Sequence, residues 1–139
     1  MSIPSDPTHV SAAILVRNGR VLACQRRDDQ THPGGWEFPG GKRELGETMA
    51  ECLRRELREE LGIEATIGRE VWRTEHHYPG GSVALVFFHV SGFAGEIRNL
   101  VFADLRWVTV EELAGLDVLE ADRGLVERLR GGLMAELVG

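Results

Sequence analysis

Between Thr48 and Gly62 the chain reads TMAECLRRELREELG, a run that allows few alternatives to a single amphipathic helix. Thr48 followed by Glu51 three residues later forms a capping box, and Ala50, Leu53, Leu57 and Leu61 recur at helical spacing until Gly62 stops the pattern. The spacing predicts a helix over about residues 48–61. Glu56, Glu59 and Glu60 stand at i, i+3 and i+4, so at roughly 100° per residue they share one arc of the surface while the leucines hold the neighbouring arc on the core. Three like charges on one face are unfavourable unless a cation neutralises them. Clustered hard oxygens without His or Cys suit Mg²⁺, or Mn²⁺, which also accept phosphate oxygens. On the helix alone, a solvated face of Glu–Arg pairs is the preferred reading, because Arg54, Arg55 and Arg58 are interleaved with the glutamates, and it is the flanking sequence that overturns it.

The remaining elements follow from punctuation and periodicity. Val10–Val16 and Val21–Cys24, separated by Asn18-Gly19, read as a β-hairpin with a two-residue turn. Arg26–Gly41 is polar and broken by Pro33-Gly34-Gly35 and Pro39-Gly40-Gly41, the signature of a functional loop. Ile63–Thr74 and Ser82–Val90 read as a long antiparallel pair joined through Tyr78-Pro79-Gly80-Gly81. Leu105–Val108 is a short strand, and Thr109 with Glu112 caps a short helix. A last helix is expected from about Ala121 to Leu137, with Gly131-Gly132 as its weak point. Strands interleaved with two substantial helices predict an α/β chain in which a mixed sheet lies between helical layers, an α/β/α sandwich.

Composition narrows the function. At 139 residues the chain suits one domain, residues 1–139, with residues 1–8 expected as a disordered tail. With 16 Lys+Arg against 22 Asp+Glu the net charge is −6, which argues against nucleic-acid polymers as partners but leaves room for a small polyanion held by a local cation. Cys24 and Cys52 form no CxxC pair, so a cysteine zinc site is not indicated and a reducing, cytoplasmic setting is expected. No segment reads as a membrane span.

From Gly41 to Ile63 the sequence GKRELGETMAECLRRELREELGI resembles the Nudix box, matching it at Gly41, Glu47, Arg55, Glu56, Leu57, Glu59, Glu60, Gly62 and Ile63. Trp36-Glu37-Phe38-Pro39-Gly40-Gly41-Lys42 ahead of the box, and Gln25-Arg26-Arg27 before it, look like the MutT-type nucleoside triphosphate branch, closest to the bacterial CTP pyrophosphohydrolase and oxidised-dGTP pyrophosphatase group. The resemblance implies the Nudix fold and hydrolysis of a nucleoside triphosphate to the monophosphate and pyrophosphate. It implies Glu56, Glu59 and Glu60, with the Gly41 carbonyl, as ligands of Mg²⁺ or Mn²⁺. Glu56 or Glu59 would also orient or deprotonate the attacking water, and Arg55 with Glu47 would form the ion pair that orients the helix. Lys42 and Arg26 become candidates for the triphosphate, with Arg27 a weaker one, and Phe38 for stacking on the base or anchoring the loop, as also for Trp36. Family members occur as monomers or homodimers.

Two positions depart from that pattern. MutT-like chains carry a Glu six residues before the late-strand Trp, here Trp107, and this chain has Val101 there; Glu96 or Asp104 are the nearby acids. At the start of the last helix, where the MutT enzyme uses Asn to read an oxidised guanine, Asp122 stands instead, suiting an exocyclic amine such as cytosine N4 if it faces the base, or serving as a plain helix cap if it does not. Tyr78-Pro79 reads most simply as a turn, His76 and His77 either touch substrate or are exposed, and Cys52 is expected as a small buried residue beside the site. Two other readings stand beside the main one. A non-catalytic nucleotide-binding module would draw on Val101, and a hydrolase of ADP-sugars or dinucleoside polyphosphates would need substrate profiling to separate.

Overall fold

The computed structural model describes residues 6–138. Strands β1 (Thr8–Arg17) and β2 (Arg20–Gln25) form the expected hairpin. Its Asn18-Gly19 turn has φ of 51° and 74°, the left-handed pair that a two-residue hairpin turn demands. Thr8, expected within a tail over residues 1–8, instead pairs with Val83 in β1, and residues 1–5 lie outside the described part. Two short strands, β3 (Trp36–Glu37) and β4 (Gly40–Lys42), punctuate the glycine-rich loop and attach it to β2 and β1 respectively.

Helix α1 (Met49–Leu61) has both hydrogen bonds of the Thr48–Glu51 capping box and ends at Gly62 with φ 69°. Strands β5 (Glu64–Tyr78) and β6 (Gly81–Ala94) are the long antiparallel pair, with bulges between Thr66 and Trp72. Strand β7 (Asp104–Val108) pairs with β2, and Thr109 caps helix α2 (Val110–Ala114) through a second capping box. The last helix is interrupted where the glycines predicted weakness: after α3 (Glu120–Arg128) the chain kinks within Leu129–Leu133, where Gly132 leaves the helical region at φ 131°, before α4 (Met134–Val138).

The sheet is mixed and open, running β3-β2-β1-β6-β5, and β1 is the seam. It runs parallel to β6 from Thr8 to Leu15 and antiparallel to β4 from Val10 to Ala12. Its apolar run is continuous because both faces are buried. Ala12 and Ile14 join Val21, Ala23, Phe38 and Phe87 in the core beneath α2 and α3, whereas Ala13 and Leu15 join Leu22, Cys24 and the α1 leucines in the other. Leu53, Leu57 and Leu61 are fully buried, and at roughly 1.5–3 kcal/mol for each buried Leu this face fixes α1 on the sheet. Both cysteines are buried and free. No helix among the described residues is long and apolar enough to cross a membrane.

Candidate active site

The predicted acidic face of α1 lies against the loop that precedes it. Strand β4 holds Gly41 opposite Ser11, and a side chain on Gly41 would collide with the carboxyl of Glu56. Glu60 meets the next loop residue, accepting a hydrogen bond from the Gly40 amide at 2.9 Å. Glu59 is the outermost of the three, with its side chain 56% exposed. Among the described residues no three His, Cys, Asp or Glu side chains converge into a ready-made cation cage. Each carboxylate is instead neutralised by a donor, Glu56 and Glu59 by Arg55 and Glu60 by the Gly40 amide.

Arg55 supplies most of those donors. Its Nε and Nη2 form a bidentate pair with Glu47 at 2.7 and 3.0 Å, and its Nη1 reaches Glu56 at 3.0 Å and Glu59 at 3.3 Å. Nη2 also donates to the Lys42 carbonyl at 3.0 Å. One guanidinium therefore ties the loop, the Glu47 turn and two carboxylates of the acidic face together, a task matched to its fixed fork of donors. The hydrogen bonds from Arg55 hold the Glu47 carboxyl down to about 2. On the opposite side of the site, burial first and the Glu56 charge second push Glu60 up to about 9, and burial also raises Glu56 against the pull of Arg55. Cys52 is buried one turn earlier and its thiol lies 3.5 Å from the Gly41 carbonyl.

The predicted phosphate and base residues fall in two places. Lys42 is exposed beside the acidic face. Arg26 is already engaged, donating to Glu37 at 3.1 Å and to the carbonyl and hydroxyl of Thr31 at 2.6 and 2.9 Å. The Phe38 ring is buried edge-on against Phe87, with centroids 5.9 Å apart, so it anchors the loop from within the core. Trp36 is buried likewise, with the Arg106 guanidinium over its ring. Asp122 is only 6% exposed. Leu119 occupies the cap position of α3, so Asp122 sits at the third helical residue and is not the cap. Burial and the nearby Glu37 push its carboxyl up to about 7, opposed by the Phe38 amide and Arg26.

Glu37 is the residue that reading the sequence passed over. It pairs across the sheet with Cys24, is largely buried, and its charge acts on both Glu60 and Asp122. The signal was present in Trp36-Glu37-Phe38, where the flanking rings go into one core and the residue between must face the other side. Val101 lies in the segment that covers the end of α1, where Arg98 and Leu100 donate to the Leu61 and Glu60 carbonyls. Of the two nearby acids, Asp104 is paired with Arg106 at 3.0 Å and Glu96 borders a groove with Arg17 and Trp107.

Comparison with known proteins agrees with this architecture. A NUDIX domain is matched over residues 7–129. The CTP pyrophosphohydrolase of Escherichia coli K12 is 40% identical over 118 residues, 85% of this chain and 87% of that protein. A putative 8-oxo-dGTP diphosphatase 2 of Mycobacterium tuberculosis is 38% identical, with 86% of each chain covered. Among solved structures, the E. coli ORF135 protein superposes with a TM-score of 0.83 at 38% identity, covering 92% of this chain and 91% of that one. The MutT NUDIX hydrolase of Burkholderia pseudomallei gives 0.80 at 26%, covering 88% and 98%. Nudix hydrolases generally use divalent cations, and the oxygen-only donors on α1 have the chemistry to hold one. With its box intact on a capped helix and its fold shared over nearly the whole chain, this protein belongs to the Nudix hydrolase family.

Proposed function

We propose that this hydrolase converts a nucleoside triphosphate of CTP or oxidised-dGTP type and water into the monophosphate and pyrophosphate, using Mg²⁺ or Mn²⁺. The observation that carries the reading is the pairing of two features. An all-carboxylate face on α1 is oriented by a single Arg55–Glu47 fork, and a buried acid, Asp122, stands across Glu37 from it. The relatives named for CTP and for 8-oxo-dGTP support the substrate class.

Glu56, Glu59, Glu60 and the Gly41 carbonyl would hold the cation. When bound, it supplies positive charge against the phosphate oxygens and the attacking water. The remaining steps fall to the chain itself. Glu56 or Glu59 orients the water and takes its proton as the new P–O bond forms and the anhydride bond breaks, with pyrophosphate leaving. Arg55 keeps both carboxylates aimed, and a rigid helix is the right mount, because phosphoryl transfer is mostly positioning and charge neutralisation. Lys42 meets the triphosphate from the loop. Arg26 contributes from its Glu37 pair and Phe38 shapes the pocket from beneath. Asp122 reads the edge of the base, accepting from an amine when ionised and donating when protonated. The reaction requires no nucleic-acid polymer or membrane, and it fits a cytoplasmic enzyme acting alone or as a homodimer.

The test is phosphate and pyrophosphate release from CTP, 5-methyl-dCTP, dGTP, 8-oxo-dGTP, ADP-ribose and diadenosine tetraphosphate with Mg²⁺, and Glu59→Gln as control. Pyrophosphate from a triphosphate, lost in the variant, supports the reading. Turnover of ADP-ribose or the dinucleotide alone moves the protein to another branch. Tight nucleotide binding without turnover makes it a binding module, with Val101 as the reason.

A further inference from the structure

Among the described residues the buried polar side chains are Asp122 and Ser11, and only Asp122 has a part in the reaction above. Ser11 has no exposed surface. It lies on the face of β1 that carries Ala13 and Leu15 into the core beneath α1. An apolar residue would fill that place as well, and a buried hydroxyl is unfavourable unless it is bonded.

The hydroxyl is bonded to the helix above it. Ser11 Oγ donates to the Met49 carbonyl at 2.8 Å, in the first turn of α1 and 38 positions along the chain. Ser11 is also the residue that the ladder sets opposite Gly41 in β4. From the helix, one turn before Glu56, the Cys52 thiol donates to the Gly41 carbonyl at 3.5 Å. Strand β1, helix α1 and strand β4 are thus joined in a closed triangle, by a hydroxyl, a thiol and the backbone ladder. One corner is Gly41, against which the Glu56 carboxyl rests. The packing of Leu53, Leu57 and Leu61 holds α1 down, but apolar packing is non-directional and permits small slips. A hydrogen bond has a fixed length and direction and does not.

We propose that Ser11 is a positioning residue, with Cys52 as its weaker partner, and that the two set the register of α1 over the glycine-rich loop and so aim Glu56. The inference rests on the reaction proposed above and gives a part in it to two side chains outside the acidic face. A thiol is a poor donor, so Ser11 carries the larger share.

The experiment measures kcat and KM for CTP, the urea midpoint, and Mg²⁺ affinity by calorimetry without nucleotide, in wild type, Ser11→Ala, Cys52→Ala and Cys52→Ser. Ser11→Ala should lower kcat about ten-fold, the scale of a sub-ångström misplacement, and weaken Mg²⁺ binding, while KM stays near wild type. Cys52→Ala should show the same pattern more weakly, and Cys52→Ser, which keeps a donor, should restore kcat. A Ser11→Ala enzyme that loses only urea stability, with kcat and Mg²⁺ affinity of wild type, overturns the brace. So does a KM that rises as far as kcat falls, or a Cys52→Ser as slow as Cys52→Ala. A wild type that turns over no triphosphate overturns the parent reading instead, and Mg²⁺ affinity then decides the brace: a value unchanged in Ser11→Ala sinks it.

Discussion

The Glu56 carboxyl rests against the Cα of Gly41, in space that a side chain at position 41 would occupy. Because β4 is tied to β1 through the Ser11–Gly41 register, the loop cannot retreat without breaking the sheet. Gly41→Ala should therefore turn Glu56 aside. Turnover should fall by about 100-fold or more with little loss of stability, because only the end of a flexible side chain has to move, and with an unchanged far-ultraviolet spectrum. Wild-type turnover in the purified variant would refute the steric account.

Arg55 binds Glu47 with two nitrogens and the Glu56 and Glu59 carboxylates with a third. A lysine keeps the charge but not the fork, so Arg55→Lys should lower kcat/KM by about 10- to 100-fold. Glu47→Gln should do the same, and the double variant should be no worse than either single one, since both remove one linkage. Additive losses in the cycle would mean that the two residues act separately.

Asp122 gives a pH signature. Its folded value of about 7 lies above the ordinary 3.8, so the fold favours the protonated carboxyl. That contribution is full below about pH 4 and is lost as pH rises through 7. Asp122→Asn, which stays neutral, should be more stable than wild type at pH 8 by up to about 4 kcal/mol and nearly equal at pH 4, as read by urea unfolding across pH. If Asp122 faces the base, the preference of wild type for CTP over other triphosphates should also rise between pH 6 and 8, and Asp122→Asn should abolish that rise. A uniform loss across bases would leave Asp122 a structural acid.

Cation binding should be visible without turnover. Glu60 is held protonated by burial and the neighbouring Glu56, up to about 9, and a divalent ion competes with that proton. Mg²⁺ should raise the thermal midpoint of wild type, with binding accompanied by proton release in calorimetry at pH 7.5, and Glu60→Gln should weaken both. Mg²⁺ that leaves the midpoint of wild type untouched would count against these ligands.

Local signals carried much of this fold. The Thr48 and Thr109 capping boxes, the Asn18-Gly19 turn and the Gly131-Gly132 weak point each act within a few residues, and each appears where the sequence put it. The acidic face of α1 was legible for the same reason. What was not legible depends on distant strands. Glu37 matters because β3 lays it beside Cys24, Asp122 is buried because Leu119 takes the cap, and His76 meets Glu120 from 44 positions away. Val101 was visible as a departure, yet only the fold shows its segment tied to the end of α1.

The seam strand has a consequence for how the molecule comes together. β1 pairs in parallel with β6, Thr8 against Val83 and Leu15 against Val90, so the first strand made is completed by one that lies about half the chain further on. Such distant pairing slows folding, because loop closure must be paid for before the contacts reward it. The hairpin and the capped helix can form early from their own residues, but one side of β1 stays an open edge until β6 arrives. During synthesis that edge is a template for the wrong neighbour, and the glycine-rich loop, hung on the other side of the same strand, takes its final shape only when the sheet closes.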